Sequence, residues 1–103
     1  MINAQLEPFL QDFNILFRDN KINKAYLFGS AVTDNFNTDS DLDLIITFQP
    51  QVTDPLIKGD LMWKLQFAIE DLTKRKVDIF QESSLKNPYF IKEVNETKEL
   101  IYG

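Results

Sequence analysis

Residues 24–48 read KAYLFGSAVTDNFNTDSDLDLIITF: two apolar, β-like runs on either side of a polar segment. The first run, residues 24–28, stops at Gly29-Ser30. The second, Leu42 to Phe48, contains Leu44-Ile45-Ile46. Side chains alternate across a strand, so consecutive apolar residues need cover on both faces, as a central strand has. Between the runs, residues 31–40 hold Asp34, Asn35, Asn37, Thr38, Asp39 and Ser40. That composition predicts a loop with room for one helical turn, in which Asp34 and Asp39 suit Asx turns.

Upstream, Leu6, Phe9, Leu10, Phe13, Leu16 and Phe17 recur every three or four residues, predicting an amphipathic helix over about residues 4–19. Its other face carries Glu7, Gln11, Asp12 and Arg18. Downstream, residues 49–53 form a connection, and Asp54-Pro55 reads as an N-cap with proline at the first helical position. The helix it opens places Ile57, Leu61, Leu65, Ala68, Ile69 and Leu72 on one face, and Met62, Trp63 and Phe67 beside them. These last three suit either core packing or a partner-binding face. The helix ends at Lys74-Arg75-Lys76, charges that favour the negative end of a helix dipole, with a phosphate or protein contact as the other use.

Residues 77–80 read as a third strand, Asn87-Pro88 as a second cap-plus-proline signal, and Glu99 to Tyr102 as a final edge strand. In the short helix after Pro88, Ile91 and Val94 face inward; Tyr89, Phe90 and Tyr102 read as core or interface. No repeat or low-complexity segment interrupts this order. The prediction is an α/β (α+β) fold, a small mixed sheet of about four strands flanked by helices, in a single domain over residues 1–103.

The chemistry concentrates at the strand ends. Asp41 and Asp43 are two apart at the start of a strand, so their carboxylates share a face while Leu42 and Leu44 turn to the core. Such a pair repels itself unless solvated or bridged by a cation, and Mg²⁺ takes oxygen ligands of this kind. Gly29, lacking Cβ, lets a ligand approach the backbone, and Ser30 offers a hydroxyl and an N–H suited to phosphate. Asp78 lies between Val77 and Ile79 and faces away from the core, either as a third site carboxylate or as an ordinary solvent-facing acid. If its strand pairs beside Leu42–Phe48, all three acids share one face, and two Mg²⁺ ions outweigh them in charge. The sum can then receive a triphosphate, and Asp78 can bind one metal or take a proton from an attacking hydroxyl.

Composition narrows the chemistry further. There is no cysteine and no histidine, which removes disulfides, thiolate zinc sites and His-based nucleophilic catalysis. Sixteen acidic residues against 11 basic give a net charge of −5, which disfavours general nucleic-acid and anionic-membrane binding. No apolar run approaches the roughly 20 residues that span a bilayer, and the N-terminus shows no signal peptide, so the expected location is cytoplasmic. The 9 Phe residues exceed the needs of a small core and point to a partner.

Phe28-Gly29-Ser30, ten residues, then Asp41-Leu42-Asp43 resembles the signature of the polymerase-β-like nucleotidyltransferases. Chain length, the Lys76-Val77-Asp78-Ile79 strand and the segment from Leu85 to Tyr102 resemble their smallest branch, the minimal nucleotidyltransferases (MNT). The resemblance implies a mixed sheet flanked by helices, two Mg²⁺ ions and transfer of a nucleoside monophosphate, AMP from ATP, to a hydroxyl. For MNT proteins encoded beside a HEPN-domain toxin, it implies an acceptor tyrosine on that partner and an antitoxin role. Carried onto this chain, Gly29 and Ser30 hold the triphosphate, Asp41 and Asp43 the metals, and Asp78 the third acid position. Many relatives have an arginine soon after Gly-Ser; here Ala31-Val32-Thr33-Asp34 follows, with no basic residue before Lys58. That departure keeps two other readings open: a non-catalytic antitoxin module, or an ATP–Mg²⁺ sensor. Self-association stays open as well.

Overall fold

The computed structural model describes residues 2–103; Met1, where the reading of the N-terminus begins, lies outside the described residues. Pro8 governs how the chain starts. Proline has no N–H to donate and its ring crowds the preceding turn. Residues Ala4–Phe9 accordingly wind as a 3-10 helix, and the regular helix α1 (Leu10–Asp19) follows. The single helix expected over 4–19 is therefore two segments, yet the apolar stripe runs through both, with Leu6, Phe13 and Phe17 fully buried.

Strand β1 (Ile22–Phe28) begins two residues before the expected Lys24. An irregularity between Ile22 and Lys24 lets the buried Ile22 stay in register with Phe48 of β2 (Leu42–Phe48). Helix α2 (Pro55–Thr73) is capped as its sequence predicts, the Asp54 side chain accepting from the Leu56 N–H at 2.9 Å. Asp54→Ala should cost about 1 kcal/mol, a loss of ~4–8 °C in a thermal melt. After α2 come β3 (Val77–Gln81), a 3-10 turn at Glu82–Ser84 that the sequence did not announce, α3 (Pro88–Thr97) and β4 (Glu99–Tyr102). Asn87 caps α3 by accepting from the N–H groups of Tyr89 and Phe90.

Among the described residues the sheet order is β3-β2-β1-β4. The β1–β2 and β1–β4 pairs are antiparallel, and β2–β3 is parallel. A parallel pair needs a long crossover, which α2 supplies. The central β2 divides its residues between two faces. Leu42, Leu44 and Ile46 join Phe13, Phe17, Leu65, Ile69 and Val77 in the main core, whereas Ile45 packs with Phe28 and Val94 on the other side. Strand β4 is an edge, as expected, and Tyr102 on it packs against Phe17 at 5.5 Å.

One side chain of α2 departs from the expected pattern, and the three read as core or partner-facing divide between the two uses. Ile57 is 52% exposed, because α2 first meets the core at Leu61, beyond its opening turns. Met62 packs on the core, but Trp63 and Phe67 stay exposed with their rings edge to face at 4.6 Å. Of the C-terminal aromatics, Phe90 joins the second cluster and Tyr89 is exposed. Among the described residues, no helix is long and apolar enough to cross a membrane.

Candidate active site

Antiparallel pairing brings the end of β1 to the start of β2, and parallel pairing brings the start of β3 to the same place. Phe28, Asp43 and Asp78 are consequently register partners in one row across three strands. Asp41 sits one residue before β2, where the Leu42 N–H donates to the Lys76 carbonyl at 2.9 Å. The acids stand at the end of the sheet, on the face that carries Ile45, Phe28 and Val94. Asp41 is exposed, and Asp43 and Asp78 are half-buried.

The row has an electrostatic consequence. The Asp43 carboxyl is held above its ordinary pKa, chiefly by burial and then by the charges of Asp78 and Asp41, while Lys76 pulls the other way. Asp43 therefore feels both other acids, as the shared face predicts. The three do not close into a ready metal cage: among the described residues, no group of three or more His, Cys, Asp or Glu side chains is placed to hold an ion. They depart from three different backbone segments, the loop end, β2 and β3. Oxygen donors whose mutual repulsion a cation relieves fit Mg²⁺ in kind.

Gly29 is fitted to Asp43. Its φ of 70° lies in the left-handed region, and a Cβ built on it would stand 2.9 Å from Asp43 Oδ2. The missing side chain is the space that the carboxylate uses. Ser30 follows in the 3-10 turn Gly29–Val32, its carbonyl accepting from the Thr33 N–H and hydroxyl at 3.0 and 2.9 Å. Beside this turn lies a cavity of about 390 Å³, lined by Phe28, Gly29, Ser30, Thr33, Asn35 and, from α3, Phe90, Glu93, Val94 and Thr97. Its wall is continuous with an aromatic trio, Phe28, Phe80 and Phe90, with centroids 5.8–6.0 Å apart. A slightly larger cavity, about 420 Å³, lies at the far end of β2 near Gln49 and Lys58, away from the carboxylates.

Sequence reasoning missed the residues that brace the loop between the two halves. Phe36 plugs the main core, and Asn37 supplies the Asx-type bond there, its side chain accepting from the Asp39 N–H at 2.8 Å. Arg75, read from sequence as a helix-end charge, instead reaches across to this loop. No local spacing signals such contacts, since Arg75 and Asn37 are 38 residues apart.

The paired carboxylates at the start of β2 thus stand beside the glycine–serine turn that ends β1, and the class of protein is a nucleotidyltransferase. The sequence profile described as "Polymerase beta, Nucleotidyltransferase" matches residues 12–103, and the chain belongs to that family. A Methanocaldococcus jannaschii protein assigned as a protein adenylyltransferase is 30% identical over 82 residues, covering 80% of this chain and 76% of that protein. A structure assigned as a minimal nucleotidyltransferase superposes with a TM-score of 0.75 at 25% identity, covering 96% of this chain and 95% of that one. Two toxin–antitoxin structures share the fold at 22% identity. One, with AMP-PNP, gives a TM-score of 0.71 over 91% of this chain and 73% of that one. The other, a tri-AMPylated Shewanella oneidensis HEPN toxin with its MNT antitoxin, gives 0.62 over 94% and 71%.

Proposed function

We propose that the chain transfers AMP from ATP, with Mg²⁺, to a hydroxyl on a HEPN-like partner protein, and so acts as an antitoxin. The observation that carries this reading is the row Phe28–Asp43–Asp78, with Gly29 against the Asp43 carboxylate. The HEPN toxin carrying AMP in the Shewanella complex, and the AMP-PNP in its fold neighbour, support the donor and the partner. Asp41, Asp43 and Asp78 would hold Mg²⁺, which supplies charge neutralisation at the α-phosphate and the leaving group.

The chain's own residues do the rest. Gly29 and Ser30 hold the triphosphate through backbone N–H and hydroxyl donors, and the neighbouring cavity takes the nucleoside against Phe28 and Phe90. The acceptor oxygen attacks the α-phosphorus, the bond to the bridging oxygen of the β-phosphate breaks, and pyrophosphate leaves. The hydroxyl proton passes to Asp78. The small domain leaves the acceptor to be supplied by the partner.

One observation favours a non-catalytic antitoxin or an ATP–Mg²⁺ sensor: among the described residues, the Gly29–Ser30 cavity is lined by no lysine or arginine. Labelled ATP and Mg²⁺, incubated with this chain and a HEPN-domain protein encoded beside it, separate the readings. AMP label should appear on the partner and vanish with Asp41→Asn/Asp43→Asn. A tight complex that never takes label would reject transfer.

A further inference from the structure

We infer that Arg75 is a positioning residue for the transfer site, a clamp that fixes the loop delivering Asp41. Helix α2 ends at Lys74 in the left-handed conformation, φ 57°, and the next side chain crosses to the loop on the other side of the β2–β3 junction. Arg75 Nη1 donates to the carbonyls of Asn37, at 2.5 Å, and Ser40, at 3.1 Å; Nη2 donates to Gln5 Oε1 at 3.3 Å. Its guanidinium carbon lies 4.1 Å above the Phe36 ring centroid. The Ser40 carbonyl belongs to the peptide group that leads into Asp41, so a bond there fixes the backbone from which the carboxylate projects.

The same loop is held from the N-terminal side. Gln5 Nε2 donates to the Phe36 carbonyl at 3.2 Å, and Asn3 Nδ2 to the Thr33 carbonyl at 3.1 Å. The remaining bonds of residues 35–40 are local turn contacts, such as the Ser40 N–H to the Asn37 carbonyl at 3.1 Å. Those bonds shape the turn but do not tie it to the sheet. Arg75 does both at once, since its planar fork can serve divergent acceptors while its face stacks on Phe36; an ammonium donates from one point and cannot do so.

The inference rests on the proposed role of Asp41 as a metal ligand, and the test separates the two. Mn²⁺ alone is titrated into the full chain by calorimetry, and amide hydrogen exchange is followed over residues 37–43. Arg75→Ala should weaken Mn²⁺ binding about 10–100-fold, the usual effect of removing a group that orients metal ligands. It should also speed exchange at 37–43 while leaving β1–β4 amides unchanged. Arg75→Lys should not restore either property, and Lys74→Ala, an exposed neighbour paired with Asp71, should match wild type. If Arg75→Ala does not fold, Gln5→Ala should move exchange at 37–43 in the same direction by a smaller factor. Wild-type exchange at 37–43 in a folded Arg75→Ala variant, or Gln5→Ala, overturns the clamp. Wild-type Mn²⁺ affinity in Arg75→Ala, where the parent chain binds the ion, also overturns it. A parent chain that binds no Mn²⁺ instead rejects the metal role of Asp41, and exchange alone then decides on Arg75.

Discussion

Asp43→Asn should lower AMP transfer to the partner by about 10³-fold or more while making the protein more stable. A thousandfold loss is ~4 kcal/mol of transition-state stabilisation, a reasonable share for a group proposed to hold the catalytic metal. The gain in stability follows from the raised pKa of Asp43. Burial and the neighbouring charges of Asp78 and Asp41 disfavour its ionised form in the folded chain relative to the unfolded one. The folded state therefore binds the proton more tightly, and stability falls as pH rises from the unfolded pKa through the folded one. Above that window the wild type carries the full cost of a half-buried, repelled charge. Below the unfolded pKa the carboxyl is protonated in both states and the cost is gone. Asp43→Asn keeps the shape and removes the charge, so it should raise the melting temperature near neutral pH. The advantage should shrink to nothing in melts run below pH ~3.5. A variant that loses transfer and also loses stability at neutral pH would contradict this account.

Gly29→Ala is the second large effect, and it acts on both properties in the same direction. The left-handed backbone costs an L-residue roughly 1–2 kcal/mol, and the new methyl would sit 2.9 Å from Asp43 Oδ2. The carboxylate is the movable partner, so it should rotate away from the glycine turn. A displacement of about 1 Å in a reacting or ligating group is enough to cost ~10² in rate. Thermal melts should show the loss of stability, and single-turnover transfer assays the larger loss of activity. Combined with Asp43→Asn, which leaves no charge to displace, the activity penalty of Gly29→Ala should nearly disappear, since neighbours sharing one contact are not additive.

Features set by local spacing were legible in the sequence. The unbroken apolar run Leu44-Ile45-Ile46 foretold a central strand covered on both faces, and the cap signals at Asp54-Pro55 and Asn87-Pro88 appear where expected. The grouping of Asp43 and Asp78 on one face was also readable, because it follows from strand parity once β2 and β3 are neighbours. What escaped was set elsewhere. Pro8 splits a periodic run that hydrophobicity alone reads as one helix. The exposure of Ile57 depends on where α2 meets the core, which periodicity cannot report. Arg75 reads as a helix-end charge because its partners, Asn37, Ser40 and Gln5, are 35–70 residues away.

The parallel β2–β3 pair divides the site by chain connectivity. Gly29, Asp41 and Asp43 come from an antiparallel pair that a short loop closes, whereas Asp78 reaches them only after the 19-residue helix α2 has crossed and packed. The β2–β3 pairing sets a like charge beside Asp43. The place of Asp78 therefore depends on how α2 lies across the sheet, whereas the glycine turn and the Asp41–Asp43 pair depend on β1 and β2 alone.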